Sequence, residues 1–281
     1  MPLLLSDLAP RIATRVETDL DTLLSGTHAS ELRRLLELRG VLVVRGVAMD
    51  DKQQLAFTQT LGDIFGGGAP EVYKVTVDEQ QNPTYYHYNL GNFSWHIDRT
   101  DTDVPPFASI LNAKRLSPEG GNTEFANTYA AYEDLPDCDK HLIESLCVLH
   151  KLESSYRETV PDPTEEQLAT WRRHADKVHP LVWRHQSGRK SLITSMSGTS
   201  IVGMDEAEGA ALLARMMAWA TQPQYVYVHQ WQLGDIVMWD NTGVMHRVQG
   251  YDFASGRVMH RTTVTGDEPF TGDRQLADQP S

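Results

Sequence analysis

The sequence predicts a mainly β protein with a β-sandwich or barrel core that carries helical insertions. Two observations predict this fold class. Short aliphatic or alternating runs bounded by turn residues occur toward both ends of the 281-residue chain, which is typical of strands. Segments with the apolar spacing of helices lie between them. A chain of this length can bury one full core, and it contains no internal repeat, so we expect one domain over 1–281.

The first half of the chain alternates helical and strand patterns. The predicted elements are a helix over 30–40 ending at Gly40, a buried strand over 41–47, a helix capped by Asp50 with Phe57, Leu61 and Ile64 on one face and ended by 66–68, and strands over 107–113 and 123–129. The polar and aromatic stretch over 78–94 has no clear periodicity. We therefore expect it to form a mobile loop over an active site.

The second half begins with a helical pattern and returns to strands. The predicted elements are a helical insertion over 139–177 in which Thr164 and Gln167 have capping-box spacing, short strands over 178–202 around the turn at 185–190, a helix over 205–220, and strands over 225–232, 235–240 and 257–265. The polar tail over 266–281 is expected to be loosely held.

Composition and charge exclude several classes of function. The formal net charge of -13 repels a phosphate backbone, so we expect no nucleic-acid partner. The N-terminal MPLLLSDLAP has neither a basic leader nor an apolar run of membrane-spanning length, so we expect neither secretion nor a membrane partner. Cys138 and Cys147 lack metal-site spacing. They are expected to be structural thiols of a cytoplasmic protein.

The segment SWHIDRT, residues 94–100, places an imidazole and a carboxylate two positions apart, at His96 and Asp98. On an extended strand, side chains at positions i and i+2 point to the same face, and the turn residues around this segment favour an extended conformation. The pair is compatible with one face of a metal site. A surface strand that shows two polar groups to water has the same pattern, so the choice depends on the rest of the chain.

The C-terminal third supplies the other candidates. His246 follows the predicted strand IVMWDN, where a surface or loop histidine is the alternative interpretation. On the last predicted strand, Arg257, Met259 and Arg261 share one face. If this face is the inner one, two guanidinium groups point inward and need anionic partners. Protein carboxylates could serve, and so could two bound acids, each held bidentately.

Taken in order, these residues resemble the Fe(II)/2-oxoglutarate dioxygenases of the taurine dioxygenase and 2,4-dichlorophenoxyacetate dioxygenase group. The likeness runs from about residue 40 to 270. Five elements occur in the family's order: His96 with Asp98, GGNT ending at Thr123, His246 after WDN, Arg257 and Arg261. The spacing is also family-like, with 27 residues from His96 to Thr123 and 11 from His246 to Arg257. The stretch VHQWQLGDIVMWDN and the GN before W-H-x-D look closest to the aryloxyalkanoate dioxygenases.

The resemblance implies a double-stranded β-helix (jelly roll, cupin-like) with helical insertions. It implies that His96, Asp98 and His246 bind the catalytic Fe(II), and that Arg257 and Thr123 bind 2-oxoglutarate. Two imidazoles and one carboxylate leave three adjacent positions of an octahedral Fe(II) for other ligands, two for the 2-oxo acid and one for O2. The implied reaction releases succinate and CO2 and hydroxylates the substrate, with or without C–O or C–S cleavage.

The resemblance further implies a small organic anion as substrate, such as an aryloxyalkanoate or a sulfonate. The taurine branch holds its sulfonate with the arginine that matches Arg261 and contacts its substrate with the asparagine that matches Asn92. Arg261 could instead brace the strand through a protein carboxylate. The run TYYHY at 84–88 could form an aromatic wall or simply pack on the body. Family resemblance also favours a homo-oligomer.

Other functions would use some of the same residues. The same iron and 2-oxoglutarate chemistry could act on a natural product or an amino-acid-like substrate. Halogenation would need an open metal position where Asp98 stands. A zinc hydrolase or a non-catalytic jelly-roll metal-binding protein could use the same two histidines and aspartate, but neither needs Arg257 and Thr123. An interaction module with an aromatic loop over 85–95 would need no metal.

Overall fold

The protein is mainly β with helices between the strands, as the sequence predicts. The computed structural model describes residues 3–66, 71–82, 86–157 and 160–272, with side chains at these positions except 87, 88 and 155. The strands are Leu4–Asp7 (β1), Thr14–Glu17 (β2), Val41–Val44 (β3), Tyr73–Val75 (β4), Ala108–Arg115 (β5), Thr123–Asn127 (β6), Cys147–His150 (β7), Lys177–Pro180 (β8), Val182–Arg184 (β9), Lys190–Leu192 (β10), Gly198–Ile201 (β11), Val226–His229 (β12), Ile236–Asp240 (β13), Val244–Val248 (β14) and Val258–Val264 (β15). The helices are Leu20–Leu24 (α1), Ala29–Arg39 (α2), Asp51–Leu61 (α3), Tyr86–Leu90 (α4), Thr128–Glu133 (α5), Asp137–Ile143 (α6), Leu152–Arg157 (α7), Glu165–Trp171 (α8) and Glu206–Ala220 (α9).

Two sheets enclose the apolar interior on which the site is built. The larger sheet has the strand order β1-β2-β3-β13-β5-β15-β4, and a three-stranded sheet has the order β12-β6-β14. Leu111, Trp239 and Met259 from the larger sheet form one buried cluster with Phe125 and Val244 from the smaller one. Because Met259 is fully buried, the face of β15 that also carries the two arginines is the inner face.

Helices α2 and α3 cover the outer face of the larger sheet with a second apolar cluster. Helix α2 ends at Gly40, whose φ of 73° favours glycine. Helix α3 begins with the predicted cap, since the Asp50 carboxylate accepts a hydrogen bond from the backbone N–H of Gln53. The predicted continuation of α3 to Ile64 is wrong. The helix ends at Leu61, and Ile64 instead pairs with β15.

Other segments also differ from the prediction, and β1, β2, β4 and α1 have no predicted counterpart. Strand β7 interrupts the predicted helical stretch 139–177, because its aliphatic residues pair with β8 and β11. The irregular stretch 78–94 contains α4 and a 3-10 turn over Gly91–Phe93. Strand β14, which carries His246, has no predicted counterpart. The capping box of Thr164 and Gln167 is confirmed at the start of α8.

The turn between β13 and β14 brings the chain back across the interior and sets the position of His246. At Gly243, an added Cβ would lie 1.7 Å from the ring of the buried Tyr129. The Tyr129 hydroxyl in turn makes a 2.8 Å hydrogen bond with the hydroxyl of Thr242. The turn therefore needs glycine because of close packing. No helix in the described part of the chain combines the length and apolar character needed to cross a membrane.

We expect Gly243→Ala to destabilise the protein, because the methyl group must displace Tyr129 or the turn. Overpacking of this kind costs about 1–3 kcal/mol, which urea unfolding followed by circular dichroism would measure. Gly250→Ala is the matched control, since its Cβ would meet nothing within 4 Å. Equal stability of the two variants would show that the interior can accept the extra methyl group.

Candidate metal centre

His96 lies where the chain crosses from the irregular segment onto the smaller sheet. It forms an isolated antiparallel bridge with His246. The backbone N–H of His96 donates to the carbonyl of His246 at 3.1 Å, and the backbone N–H of His246 donates to the carbonyl of His96 at 2.9 Å. The extended conformation that the sequence predicts for 94–100 is limited to this bridge. Asp98 already lies in a turn, and Arg99 has a φ of 63°. The turn, rather than strand alternation, therefore aims Asp98 at the imidazole.

The His96 ring presents one nitrogen to the interior. Its Nδ1 lies 2.7 Å from the backbone carbonyl of Ser94, and only a protonated Nδ1 can donate to that oxygen. Nε2 then carries the lone pair, and it is buried with no hydrogen-bond partner among the described residues. Burial lowers the pKa of His96, so the ring is neutral at neutral pH. This is the form that a histidine metal ligand requires.

Asp98 supplies a buried negative charge between the two histidines. Burial by itself raises the pKa of its carboxyl, but Arg261, followed by His246 and His96, lowers the pKa below its usual value. The Ser109 hydroxyl also donates to Oδ2 at 3.1 Å. Asp98 is therefore ionised at neutral pH although only 3% of its surface is exposed.

His246 is held by packing against aromatic rings. Its ring centroid lies 4.6 Å from that of Trp239 on β13 and 6.2 Å from that of Phe125 on β6. Burial, followed by the neighbouring His96, lowers its pKa well below the usual value. His246 is therefore neutral at neutral pH and keeps a lone pair for a metal. The two imidazole centroids are 4.1 Å apart.

The ligand atoms of His96, Asp98 and His246 converge on one point, which we call the metal point. Oδ1 of Asp98 lies 3.9 Å from Nε2 of His96 and 4.0 Å from Nε2 of His246. One ligand atom from each residue lies within 4.8 Å of the others. Two neutral imidazoles, one carboxylate and a buried unpaired Nε2 fit a divalent first-row metal of the 2-His-1-carboxylate type. The structure thus brings together the three residues that the sequence predicts for a metal site.

A cavity opens beside His246 and contains both predicted arginines. We call it the arginine cavity. Its lining includes Asn92, Thr123, His246, Tyr251, Arg257 and Arg261. Arg247 also lines it. Arg247 is paired with Glu124 and Arg261 with Asp98. Within a chain of net charge -13, the positive charge available to an organic acid here is therefore mainly that of Arg257.

Arg257 lines this cavity and is buried, with no carboxylate partner in the described part of the chain. It is 4% exposed, and its Nη2 donates to the carbonyl of Gly121 at 3.0 Å. Nε is buried and unpaired, and the guanidinium forms no salt bridge with the described residues. Burial lowers the pKa of Arg257, although an arginine stays charged at neutral pH. An uncompensated buried guanidinium is costly, so this one suits a bound carboxylate.

Thr123 can add a second donor to such a carboxylate. Its Oγ1 accepts a hydrogen bond of 3.0 Å from Nε1 of Trp231, which leaves the hydroxyl hydrogen for another acceptor. Thr123 begins β6 and is 4% exposed. Thr123 and Arg257 line the same cavity as His246.

Arg261 forms an ion pair with the metal-site aspartate. Its Nη1 lies 3.3 Å from Oδ1 and 3.4 Å from Oδ2 of Asp98. The guanidinium also lies 4.9 Å from the ring centroid of Tyr73. Arg261 therefore has the protein carboxylate partner that the sequence left open as an alternative, and it still lines the arginine cavity.

A second cavity opens beside His96. Its lining includes Asn92, His96, Thr100, Tyr156, Ser195 and Ser197, and we call it the serine cavity. Asn92, in the 3-10 turn Gly91–Phe93, borders both cavities. Of the predicted aromatic wall at 84–88, residues 84 and 85 and the side chains of 87 and 88 lie outside the described part of the structure.

Several residues at the site were missed by the sequence analysis. Trp231 donates the hydrogen bond that positions Thr123. Ser109 donates to Asp98 and accepts a hydrogen bond of 3.0 Å from Nδ2 of Asn241. Tyr251 stacks on Arg257 with 5.0 Å between guanidinium carbon and ring centroid. The contacts of Trp231 and Ser109 join residues that are far apart in sequence, and Tyr251 and Arg257 share no strand or helix, so no local pattern marks them.

Comparison with known proteins gives matches over nearly the whole chain. Residues 5–263 match the family model described as taurine catabolism dioxygenase TauD, TfdA family. The alpha-ketoglutarate-dependent 2,4-dichlorophenoxyacetate dioxygenase of Cupriavidus pinatubonensis is 33% identical over 95% of this chain and 99% of its own length. The (S)-phenoxypropionate/alpha-ketoglutarate-dioxygenase of Delftia acidovorans is 30% identical, with 85% of each chain covered. The crystal structure of AAD-2 in complex with Mn(II) and N-oxalylglycine superimposes with a TM-score of 0.86 at 34% identity, covering 97% of this chain and 100% of that one.

We expect His246→Ala to weaken metal binding sharply while leaving the protein folded, because it removes one of three converging ligands. The binding of Mn(II), followed by electron paramagnetic resonance, measures this without any activity assay. His141→Ala is the control, since His141 is an exposed histidine on α6. Unchanged Mn(II) affinity in His246→Ala would show that the three side chains do not act as one metal site.

Proposed function

This chain belongs to the taurine catabolism dioxygenase TauD, TfdA family, and from that premise we propose that its Fe(II)- and 2-oxoglutarate-dependent reaction oxidises a small organic anion. It is a dioxygenase, and its cofactors are Fe(II) with 2-oxoglutarate and O2 as cosubstrates. Within this reaction class we propose an aryloxyalkanoate or a similar organic acid as the substrate. The names of the two relatives, with 2,4-dichlorophenoxyacetate and (S)-phenoxypropionate, support this choice.

One observation carries the assignment of the cosubstrate site. Arg257 is a buried guanidinium without a protein carboxylate, in the same cavity as His246. We propose that it binds the distal carboxylate of 2-oxoglutarate bidentately, with Thr123 as a second donor. The other end of the acid then reaches the metal point, which we assign to Fe(II) held by His96, Asp98 and His246.

Iron, when bound, supplies the redox chemistry that couples O2 to the oxidative decarboxylation of 2-oxoglutarate. The side chains around it orient the reactants. In our proposal, Ser94 keeps Nε2 of His96 available as a ligand, and Arg261 and Ser109 keep Asp98 ionised and aimed. Thr123 and Arg257 fix one end of the 2-oxo acid, so that its reactive end has a defined position. The buried aromatic neighbours of His246 exclude water from the reacting groups.

We assign the acidic group of the substrate to Arg261, with Asn92 as a contact at the mouth of both cavities. The guanidinium contacts Asp98 through Nη1 and also lines the arginine cavity. A substrate anion at Arg261 would also lie close to the metal point. Arg261 would then contact both the substrate acid and the metal ligand Asp98, so that one side chain would link substrate binding to the metal site.

The remaining parts of the proposal concern architecture and setting. We propose that the two facing sheets form a double-stranded β-helix, or jelly roll, within one dioxygenase domain over 1–281. The segment 78–94 borders the arginine cavity through Asn89, Asn92 and Phe93, which supports its role as an active-site loop. On family resemblance, we also propose a homo-oligomer that works in the cytoplasm.

Arg257→Ala should weaken 2-oxoglutarate binding, because it removes the charge-assisted pair. Truncating one partner of a buried pair costs roughly 2–5 kcal/mol, so the Michaelis constant for 2-oxoglutarate should rise at least about 30-fold. Succinate formation at varied 2-oxoglutarate measures this. Arg257→Lys, which keeps the charge but loses the bidentate geometry, should lie between wild type and Arg257→Ala. An unchanged Michaelis constant in both variants would refute the role.

At saturating Fe(II), which offsets any weakening of the Asp98 ligand by loss of its ion pair, Arg261→Gln should raise the Michaelis constant of the organic acid far more than that of 2-oxoglutarate. The substitution removes the positive charge but keeps a polar side chain near Asp98. Oxygen uptake with 2,4-dichlorophenoxyacetate and with its methyl ester separates recognition of the substrate's negative charge from the iron chemistry, because the ester lacks that charge and should be a poor substrate of the wild type. Efficient oxidation of the ester by both wild type and Arg261→Gln would overturn the anion assignment while leaving the iron chemistry intact.

A further inference from the structure

The serine cavity contains a polar cluster that the reaction as described does not use. Its members are Thr100, Ser195 and Ser197, which line the cavity, and His150, which lies behind them on β7. All four are buried, with 2–6% of their surfaces exposed. The serine cavity includes His96 in its lining and shares Asn92 with the arginine cavity, so a molecule in it would lie next to a proposed metal ligand.

Hydrogen bonds join the four side chains into one chain. Nδ1 of His150 lies 2.9 Å from Oγ of Ser197, and Oγ1 of Thr100 lies 3.0 Å from the same oxygen. Oγ of Ser197 lies 3.1 Å from Oγ of Ser195. The backbone N–H of Ser197 also donates to Oγ of Ser195 at 3.4 Å. Ser197 is therefore the centre of the cluster, and Ser195 is the end that receives hydrogen bonds.

The cluster contains one more hydrogen than it can use. With Nδ1 of His150 protonated, that N–H and three hydroxyls bring four hydrogens to the three side-chain contacts. Ser197 then accepts from His150 and Thr100 and donates to Ser195, which fills its capacity. The hydrogen of Ser195 is left without an acceptor among the described residues.

The other tautomer of His150 is less favourable. It would place the hydrogen on Nε2, which is buried with no hydrogen-bond partner among the described residues. A buried N–H without an acceptor is costly, whereas a lone pair on that nitrogen leaves no donor unmet. Burial lowers the pKa of His150 to about 3, so the ring is neutral at neutral pH and the cluster carries no charge.

We propose that Ser195 donates a hydrogen bond to a neutral acceptor oxygen of the substrate, such as an ether or carbonyl oxygen, in the serine cavity. The uncharged cluster suits a neutral acceptor. The guanidinium of Arg99 also lines the serine cavity, but it is paired with Asp101 at 2.9 Å, whereas Arg257 in the arginine cavity forms no salt bridge with the described residues. Leu152, Tyr156 and Ile97 line the serine cavity and provide apolar surface for the rest of the molecule. The inference rests on the proposed function and narrows its substrate to an acid that carries a second, neutral oxygen.

The test compares two acids that differ in one atom. The probes are 2,4-dichlorophenoxyacetate and 3-(2,4-dichlorophenyl)propanoate, in which a methylene group replaces the ether oxygen. Wild type should prefer the ether in kcat/KM by about five- to thirty-fold, since the methylene compound leaves a buried donor unpaired. Ser195→Ala should lose this preference through a lower kcat/KM for the ether, with the Michaelis constant of 2-oxoglutarate unchanged. Ser197→Ala, which breaks the chain at its centre, should lose it too.

Ser200→Ala is the matched control, because Ser200 lies on the neighbouring strand β11 and does not line the cavity. It should keep the wild-type preference. An equal loss for both probes in Ser195→Ala, an undiminished preference in that variant, or no turnover of either probe by wild type would each overturn the inference. Failure of the proposed function is a different result: wild type would then consume no 2-oxoglutarate with any acid in a panel of sulfonates and aryloxyalkanoates.

Discussion

The ion pair between Asp98 and Arg261 is the interaction on which the site depends. A buried carboxylate would ordinarily be protonated, and a protonated carboxyl is a poor metal ligand. Arg261 at 3.3 Å keeps Asp98 ionised between two neutral imidazoles. The same arginine is held on β15 beside the fully buried Met259, so the packing of the larger sheet fixes the charge of the metal site.

This arrangement separates two kinds of arginine on one strand. Arg261 has a protein carboxylate, whereas Arg257, four residues earlier, forms no salt bridge with the described residues. Arg261 therefore stabilises the ionised form of Asp98, whereas Arg257 is the arginine to which we assign a bound carboxylate. The two cavities differ in a similar way: Arg257 in the arginine cavity has no salt bridge among the described residues, whereas in the serine cavity Arg99 is paired with Asp101 and three hydroxyls line the wall.

The sequence predicted the mainly β fold and the residues of the metal site because those features have local or familiar patterns. Gly40 and Asp50 mark helix ends, and His96, Asp98 and His246 stand in a recognisable order. The prediction failed where tertiary contacts override local pattern. Strand β7 forms because β8 and β11 pair with it, and Asp98 is aimed by a turn at Arg99 rather than by strand alternation.

The hydroxyl cluster shows the same limit more clearly. Thr100, His150 and Ser197 come from three separate parts of the chain and meet only in the folded protein. Serine and threonine carry no spacing signal of their own, and a buried histidine cannot be told from an exposed one in the sequence. The hydroxyl hydrogen of Ser195 is recognised as unused only when the donors and acceptors of the folded cluster are compared.

The most direct test of the account is an anaerobic titration with Fe(II), with and without 2-oxoglutarate, followed by visible absorption. The central claim is that one metal point and one unpaired arginine together bind a chelating 2-oxo acid. The account predicts a visible charge-transfer band only when Fe(II) and 2-oxoglutarate are both present, since only then is the 2-oxo acid chelated to the metal. Tight binding of Fe(II) without such a band at saturating 2-oxoglutarate would contradict it.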